Sequence, residues 1–328
     1  MGTSYELSRC IVCSSADARE LATADAVREE VEDLWAYHSR RLRPDIPSAH
    51  LMDRVAFSQR PPLRVVRCKK CGLVYRNPIE RASELREIYG DEAPTREVME
   101  TLHETQRRWY EMQAQRLSEV AGARSSGIEV GSYVGAFLAA ARDVGWQFAG
   151  VDVNACTNEF TRSLGFDVHD GTLESLDPAR TAGVVAIWNC LDQLADPPAT
   201  LRAARAHLTT GGLLAIRVPN GACYAALRPL SATPLAAIAR TVLAQNNLLG
   251  FPYRYGFTPS SLGRLVERLG FDVVHVVGDV LVPIADEWTR PWAATEERVV
   301  KIIGRFVARV SPGDRPLAPW FELYARAV

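Results

Sequence analysis

Four cysteines near the start of the chain have the spacing of a metal site. Cys10 and Cys13 form one C-x-x-C pair, and Cys68 and Cys71 form a second. A C-x-x-C turn lets two thiolates point at one ion, and two such turns complete the tetrahedral four-thiolate shell that is usual for structural zinc. Because all four positions are then filled and none is left for water, the pairs predict a structural zinc ion and not a catalytic one.

The residues around the second pair favour this interpretation. Gly72 follows the pair directly, where a tight turn often needs a positive φ. Lys69 and Lys70 would offset part of the negative charge of a zinc tetrathiolate. The alternative is a redox dithiol, or two pairs that arise by coincidence. Redox C-x-x-C motifs open a helix after a strand, and neither pair has that context.

A glycine turn in the middle of the chain has the composition of a nucleotide-binding site. Gly131 and Gly135 lie between a predicted short strand and a predicted helix, where Gly131 permits close approach of the backbone to a ligand. Asp152 ends the next predicted strand, about 20 positions after the turn. An acidic side chain there can accept hydrogen bonds from both ribose hydroxyls of a nucleoside. A tight turn that binds nothing is the alternative for the two glycines alone.

The elements around this turn alternate in a way that predicts a mainly parallel sheet. Apolar stretches predict strands at 127–130, 148–153, 166–168, 183–188 and 211–218. Helical stretches lie between them, and this alternation with short links indicates an α/β fold with a doubly wound sheet. Ligands of such sheets bind at the carboxyl ends of the strands. Gly131, Asp152, Asp170 and Asn189 all fall at or just past those predicted ends.

The chain from about residue 90 onward resembles the class I S-adenosylmethionine-dependent methyltransferases. Segment 129–135, E-V-G-S-Y-V-G, is similar to their first motif, and 150–153 is similar to the second. Segments 170–172, 186–197 and 208–214 resemble the later motifs. The resemblance implies a doubly wound, seven-stranded Rossmann-like sheet with S-adenosylmethionine as cofactor. It also implies that the strand-like C-terminal stretch pairs antiparallel with the strand that begins at Phe271.

The same resemblance implies the cofactor contacts residue by residue. The implied contacts are Glu129, Gly131, Ser132, Tyr133, Gly135, Asp152, Val153, Asp170, Gly171, Thr172, Trp188 and Asn189. Asp152 occupies the ribose position, and the loop 170–172 corresponds to the adenine-binding segment. Trp188 and Asn189 are candidates for contact with the methionine part of the cofactor.

The N-terminal part carries a narrower resemblance. Segment 67–75, R-C-K-K-C-G-L-V-Y, is similar to the second zinc knuckle of sugar C-methyltransferases that act on nucleotide-linked deoxysugars. We therefore divide the chain into a zinc-binding module at 1–90 and a methyltransferase domain at 91–328, with a lid insertion at about 221–256. The helix-like stretch 16–43 is an insertion between the knuckles. The long C-terminal domain of the sugar family is not apparent, so a sugar acceptor does not follow.

Two positions depart from the family pattern. Tyr133 replaces the middle glycine of the first motif, and Asp192-Gln193 replaces a frequent Glu-His pair. Since Gln cannot titrate, a proton-abstracting role at position 193 is in doubt. The catalytic residue stays unassigned, and the candidates are His169, Tyr224, Tyr253 and Tyr255. The tyrosines could bind an anionic or aromatic acceptor, or could pack the core of the lid.

The charge balance favours a small acceptor. The chain of 328 residues has 38 basic and 39 acidic residues and a formal net charge of −1. A general nucleic-acid binder is expected to present a broad basic field. We therefore expect methyl transfer to oxygen or carbon of a small-molecule biosynthetic intermediate and no nucleic-acid partner. The alternatives are an RNA methyltransferase that holds RNA with its zinc module, and a non-catalytic protein that keeps the fold.

The apolar stretches of the sequence are too short for a membrane protein. None approaches the roughly 18 residues of a membrane span, and the N-terminus lacks the basic and apolar regions of a secretory signal. A cytoplasmic protein without a membrane partner is expected. The apolar stretch 231–250 suits a lid or a dimer contact, which leaves a homodimer open.

Overall fold

The structure is a computed structural model that describes residues 5–51, 63–81, 94–122, 125–246, 248–249, 254–310 and 318–328. Within these ranges the strands are β1 Tyr5–Glu6, β2 Ala18–Ala22, β3 Val65–Cys68, β4 Val74–Arg76, β5 Ile79–Glu80, β6 Ser126–Val130, β7 Gln147–Asp152, β8 Val168–Asp170, β9 Ala182–Trp188, β10 Leu208–Pro219, β11 Tyr255–Gly256, β12 Phe271–Asp279 and β13 Trp320–Ala327.

The helices of the same ranges are α1 Ala24–Ser39, α2 Arg96–Ala121, α3 Ala136–Asp143, α4 Ala155–Ser163, α5 Pro197–His207, α6 Gly221–Leu227, α7 Ala236–Asn246, α8 Pro259–Glu267 and α9 Pro291–Val310. Short 3-10 turns lie at Ser48–Leu51, Leu173–Ser175, Arg228–Ala232 and Asp286–Trp288. No helix in the described part of the chain combines the length and the apolar character needed to cross a membrane.

The larger sheet has the strand order β12-β13-β10-β9-β6-β7-β8 in the described residues. Strand β13 pairs antiparallel with β10 and with β12, while the pairs from β10 through β9, β6 and β7 to β8 are parallel. The chain runs outward from β6 to β8 and then returns to β9 on the other side of β6. The predicted doubly wound, seven-stranded sheet with its antiparallel C-terminal strand is therefore confirmed.

Alternate residues of the central strands face two separate layers of core. Val185 and Ile187 of β9 pack in the layer that includes Leu262 of α8, whereas Val184 and Ala186 pack in the layer that includes α3. This alternation follows from the period of two in a strand. Both faces of the sheet are covered, which is why these strands are apolar along their whole length.

The third strand of the parallel half begins later than the sequence predicted. The prediction placed it at 166–168, but β8 pairs with β7 through Val168, His169 and Asp170. Hydrophobicity marks only Phe166 and Val168 as strand-like, while the polar residues after them pair through their backbone. The prediction from apolar periodicity was therefore wrong by two residues, and it had assigned His169 and Asp170 to a loop.

A second sheet joins the N-terminal part to the rest of the chain. Its strand order is β11-β4-β3-β2, and β11 pairs antiparallel with β4 so that Tyr255 lies opposite Tyr75. The helix expected between the cysteine pairs is α1, but it is shorter than the helix-like stretch, because Ala18–Ala22 pairs with β3 instead. The proposed boundary near residue 90 lies outside the described residues.

Candidate cofactor and metal sites

The glycine turn after β6 has the conformation that its residues require. Gly131 has a φ of 74° and Gly135, the residue before α3, has a φ of 68°. A Cβ at Gly131 would lie 2.8 Å from Sγ of Cys190, and a Cβ at Gly135 would lie 2.6 Å from Cγ2 of Thr161. The turn is therefore packed tightly between the end of β9 and helix α4, with no space for a side chain at either position.

Tyr133 adopts a left-handed conformation in the same turn. Its φ is 45°, a region that costs a residue with a Cβ about 1–2 kcal/mol. Two hydrogen bonds hold it there: its N–H donates to Oδ2 of Asp152 at 3.0 Å, and its carbonyl accepts from Oγ1 of Thr161 at 3.0 Å. The backbone of the turn thus keeps the conformation that a middle glycine would give.

The carboxylate of Asp152 lies at the end of β7 beside this turn. Its Oδ2 accepts from Tyr133, and its Oδ1 accepts from the backbone N–H of Asn154 at 3.0 Å. Burial raises the pKa of Asp152, and these backbone hydrogen bonds act against that rise. Each carboxylate oxygen has a second acceptor position in addition to the one used by the backbone. The group is oriented by the chain and can still accept hydrogen bonds from a ligand.

Several buried polar atoms at the same edge of the sheet have no hydrogen-bond partner among the described residues. They include Oε2 of Glu129, Oγ of Ser132 and Nε1 of Trp188. Burial, and then the nearby charge of Asp152, raises the pKa of Glu129 well above its ordinary value. A buried polar atom left without a partner costs about 1–3 kcal/mol. These atoms lie at the ends of β6 and β9, so the edge is suited to a polar ligand that would satisfy them.

The loop after β8 is fixed by charges of its own. Asp170 accepts from Nη2 of Arg162 at 2.6 Å and from Nδ2 of Asn158 at 2.7 Å, and the hydrogen bond from Arg162 lowers its pKa. The N–H of Gly171 donates to the carbonyl of Asp152 at 2.9 Å. Thr172 caps the short turn that follows. The structure thus brings this loop beside Asp152, as the sequence predicted.

His169 and Val153 are two further members of the predicted set. The Nε2 of half-buried His169 lies 3.0 Å from Oγ of Ser175 on the same loop. The side chain of Val153 is exposed, directly after the oriented carboxylate of Asp152. Neither position adds a charged group to the edge where the unpartnered atoms lie.

The four N-terminal cysteines converge on one point. All four Sγ atoms lie within 4.8 Å of one another, with 3.3 Å between Cys10 and Cys71 and 3.5 Å between Cys13 and Cys68. A tetrahedral zinc ion with Zn–S bonds of about 2.3 Å requires S–S separations of about 3.8 Å. The hydrogen bond with Cys10 lowers the pKa of Cys71 to about 5. The donor set and its spacing fit a structural zinc ion.

The two cysteine turns are held by their own backbone and by helix α8. Gly72 has a φ of 81° and its N–H donates to the carbonyl of Cys68 at 3.0 Å. Arg264 donates to the carbonyl of Lys70 at 3.4 Å, and the guanidinium of Arg268 donates to the carbonyl of Val12. Each turn therefore contacts the end of a helix that also packs on the larger sheet.

A comparison with protein-family models identifies the family of the part of the chain that forms most of the seven-stranded sheet. A family model described as a methyltransferase domain matches residues 102–276, which is more than half of the chain. The chain belongs to the methyltransferase-domain family. The resemblance to the S-adenosylmethionine-dependent methyltransferases is thereby confirmed. No curated protein sequence matches the chain significantly.

Solved structures with a similar arrangement are methyltransferases of low sequence identity. A glycopeptide N-methyltransferase, MtfA, complexed with sinefungin is 13% identical, with 66% of this chain and 85% of that chain covered and a TM-score of 0.42. A possible histamine N-methyltransferase from Thermotoga maritima is 15% identical, with coverages of 68% and 91% and a TM-score of 0.42. Magnesium protoporphyrin IX methyltransferase from Synechocystis PCC 6803 is 10% identical, with coverages of 75% and 94% and a TM-score of 0.43.

The methyltransferase holds Asn189 with a buried polar network that the sequence analysis missed. Asn189 has a φ of 58°, and its Nδ2 donates to the hydroxyl of Tyr110 at 2.8 Å. The guanidinium of fully buried Arg217 donates to Oδ1 of Asn189 and forms an ion pair with Asp279. The available signal was a single arginine in the apolar strand β10. This network joins α2, β9, β10 and β12 behind the predicted methionine end of the site.

Asp192 and Gln193, the departures from the family pattern, have different roles in the fold. Gln193 donates from Nε2 to the carbonyl of Asn189 at 2.8 Å. Asp192 is buried, its Oδ1 has no hydrogen-bond partner within the described ranges, and burial raises its pKa to about 7. Its carbonyl accepts from the N–H groups of Arg254 and Tyr255 at 2.8 and 3.1 Å. Gln193 therefore supports the turn, and Asp192 joins it to strand β11.

The candidate tyrosines of the methyltransferase lie against its N-terminal part. The hydroxyl of buried Tyr224 donates to Glu30 of α1 at 2.8 Å. Tyr255 is buried in β11 opposite Tyr75, and burial raises its pKa. Tyr253 lies outside the described residues. Both described tyrosines contact the N-terminal part of the chain, and a role at the acceptor stays a prediction.

Proposed function

We propose that the protein transfers a methyl group from S-adenosylmethionine to oxygen or carbon of a small-molecule intermediate in natural product biosynthesis. The main support for this proposal is the edge of the sheet formed by the glycine turn and Asp152. There the oriented carboxylate of Asp152 lies beside buried polar atoms that have no hydrogen-bond partner among the described residues. The acceptor class includes secondary metabolites and nucleotide-linked sugars. We place the reaction in the cytoplasm, as the sequence favours.

The residues at this edge have chemically distinct roles in the proposal. Each carboxylate oxygen of Asp152 accepts one hydrogen bond from the backbone and can accept a second one from a ribose hydroxyl. The close packing at Gly131 keeps the backbone near the ligand. Trp188 and Asn189 adjoin the methionine end, where the buried network around Arg217 keeps Asn189 in its left-handed conformation.

The cofactor supplies an already activated methyl group, so orientation provides much of the rate enhancement. The chain's own task is then to align the acceptor and to exclude water. A base is required only if the acceptor has a proton that must leave. No side chain is assigned to that role.

The balanced charge of the chain supports a small acceptor in preference to RNA. Its 38 basic and 39 acidic residues provide no broad positive field. Arg264 and Arg268 at the end of α8 contact the carbonyls of Lys70 and Val12, one in each cysteine turn. We therefore propose that the metal module is structural and that zinc holds its two turns together.

Titration calorimetry with S-adenosylmethionine and with S-adenosylhomocysteine tests the proposal. Wild-type protein is expected to bind both, and Asp152→Asn is expected to bind about 10- to 100-fold more weakly, since hydrogen bonds to a charged group contribute about 1.5–3 kcal/mol. Asp167→Asn is the control, because Asp167 precedes β8 at the end of the strand opposite Asp152 and is exposed and paired with Arg180. Its affinity is expected to stay unchanged.

The outcomes separate the enzyme from a non-catalytic relative. Absence of binding by the folded wild-type protein at millimolar cofactor would contradict the proposed function. Binding without methyl transfer to any member of a panel of phenols, hydroxy acids and nucleotide-linked sugars, followed by mass spectrometry, would favour a non-catalytic role. Equal affinities of wild type and Asp152→Asn would contradict the ribose contact.

A further inference from the structure

Helix α9 buries an ion pair on its inner face. Glu297 and Lys301 form an ion pair with 3.3 Å between Oε1 and Nζ, and both side chains are buried. Lys301 also donates to the carbonyl of Leu281, and its Nζ lies 5.4 Å from the ring centroid of Trp109 on α2. Small residues complete this face, since a Cβ at Gly304 would lie 2.8 Å from Val280. The helix is therefore fixed in one rotational orientation against the sheet and α2.

The large apolar residues of α9 face outward. Their exposed fractions lie between 49% and 66%. They are Trp292, Val299, Ile302, Ile303, Phe306 and Val310. A surface helix ordinarily buries its large apolar residues, whereas α9 leaves these six exposed and buries Glu297 and Lys301. An exposed apolar stripe of this length on a helix that cannot rotate indicates an interaction surface.

The spacing of the outward residues is that of a helix-pairing seam. Trp292, Val299, Ile303, Phe306 and Val310 follow one another at intervals of seven, four, three and four positions. Glu296, between the first two, completes the alternating three- and four-residue spacing of the a and d positions in a coiled coil. Pairing with a second helix requires apolar residues at this repeating spacing along one narrow stripe. Contact with a flat or irregular partner surface does not require it.

We propose that α9 is a homodimer interface, in which it pairs antiparallel with α9 of a second copy. The charges at the two ends of the helix favour this occupant. Glu296 is partly exposed in the N-terminal half of α9, where it pairs with Arg41, and Arg309 is exposed in the last turn. Antiparallel pairing brings Glu296 of each copy near Arg309 of the other, whereas parallel pairing places each charge beside the same charge of the other copy.

The seam also fixes the register of the pair. In an antiparallel coiled coil each a residue faces a d residue, so Trp292 lies opposite Val310 of the second copy, and Val299 lies opposite Ile303. The two-fold axis then passes near residue 301, and Ile302 is the nearest outward-facing residue. The two copies of Val310 are about 27 Å apart along the axis, from a rise of about 1.5 Å per residue.

Sedimentation velocity on the full chain tests the interface. Wild-type protein is expected to sediment as a dimer of the 36.2 kDa chain, and Phe306→Glu is expected to raise the dissociation constant about 30-fold or more. Ile238→Glu is the matched control, because Ile238 on α7 has the same 66% exposure as Phe306 but lies outside the seam. It is expected to leave the dimer intact. Circular dichroism confirms that both variants are folded.

Oxidative cross-linking tests the antiparallel register in a Cys156→Ser background, which removes the exposed native thiol. Ile302→Cys is expected to form a disulfide-linked dimer, and Val310→Cys is expected to stay unlinked. Linkage of Val310→Cys without linkage of Ile302→Cys would overturn the antiparallel arrangement.

Two other results would overturn the interface itself. One is a wild-type monomer at hundreds of micromolar. The other is a monomer that binds vesicles of anionic phospholipid and loses that binding in Phe306→Glu, which would make the surface a membrane contact instead. The oligomeric state is measured without cofactor, so its outcome is independent of the proposed methyl transfer.

Discussion

In the cysteine cluster four thiols, three of them buried, converge on one point, whereas at the glycine turn the buried polar atoms lie at the ends of separate strands. The Sγ atoms of the cluster lie within 4.8 Å of one another, and a single ion satisfies them all. Glu129, Ser132 and Trp188 are positioned by β6 and β9 and need a ligand that extends along the sheet edge. We expect the first site to gain stability from a bound ion, whereas the second receives its structure from the fold.

Metal removal is expected to give the largest effect. Treatment with a strong chelator, or Cys71→Ser, should unfold the N-terminal part, because binding of structural zinc contributes about 10–16 kcal/mol in small zinc domains. Zinc content by plasma mass spectrometry should be one ion per chain in wild type and about zero in Cys71→Ser. Cys156→Ser, at an exposed cysteine away from the cluster, should retain the full zinc content and thermal stability. If the protein kept its native stability without zinc, the cysteine cluster would not depend on a ligand any more than the glycine turn does.

At the glycine turn a single added methyl group is expected to destabilise the folded protein even when no ligand is bound. Gly135→Ala is expected to lower the free energy of unfolding by about 1–3 kcal/mol more than Gly122→Ala, since overpacking typically costs this amount. Both glycines have a similar positive φ, but a Cβ at Gly122 meets nothing within 4 Å, whereas at Gly135 it meets Thr161. Urea denaturation of the two variants measures the difference. Equal losses would mean that Thr161 yields and that the turn is less rigid than its packing indicates.

Asp192 provides a pH-dependent test of burial near this edge. Its pKa in the folded chain, about 7, lies above the ordinary value because of burial. Its contribution to stability is therefore fully present below about pH 4 and is lost as the pH rises through 7. Asp192→Asn should gain stability relative to wild type between pH 5 and pH 8, by about 2–4 °C in Tm for each kcal/mol. A pH-independent difference in thermal unfolding would contradict this assignment.

A charge next to the cysteine cluster is expected to give the smallest effect. Lys69 pairs with Asp17 at 2.9 Å, but both side chains are more than half exposed. Exposed ion pairs contribute about 0–1 kcal/mol, so Lys69→Ala should weaken zinc retention in a chelator competition only a few-fold. A loss as large as that of Cys71→Ser would show that the lysines, and not the thiols alone, determine metal affinity.

The sequence was most informative where the site is made of neighbours along the chain. The pairs Cys10 with Cys13 and Cys68 with Cys71 each fix two ligands within four residues, so their convergence required only that two turns meet. Similarly, Gly131, Gly135 and Asp152 belong to one strand–turn–helix–strand unit. The positive φ angles of the two glycines and the hydrogen bond from Tyr133 to Asp152 follow from local geometry.

Interactions between distant segments were not visible in the sequence. Arg217 and Asp279 are 62 positions apart and meet only because β10 and β12 both flank β13. Tyr224 was a candidate for contact with an acceptor or for packing within the lid, and its hydroxyl donates to Glu30, almost two hundred positions away. The outward apolar face of α9 was also missed, because periodicity shows that a helix is amphipathic and not which side faces the core.

The pairing of β11 with β4 has a consequence for synthesis of the chain. Tyr75 and Tyr255 are about 180 positions apart, yet they are opposite each other in the four-stranded sheet. Domains of a nascent chain generally fold from the N-terminus as they leave the ribosome, but this sheet lacks an edge strand until Gly256 has emerged. The two cysteine turns can close early, whereas the sheet that carries them is completed only after more than three quarters of the 328 residues have been made. Truncated translation products that end before β11 are therefore expected to expose the free edge of β4, where a strand of another nascent chain could pair.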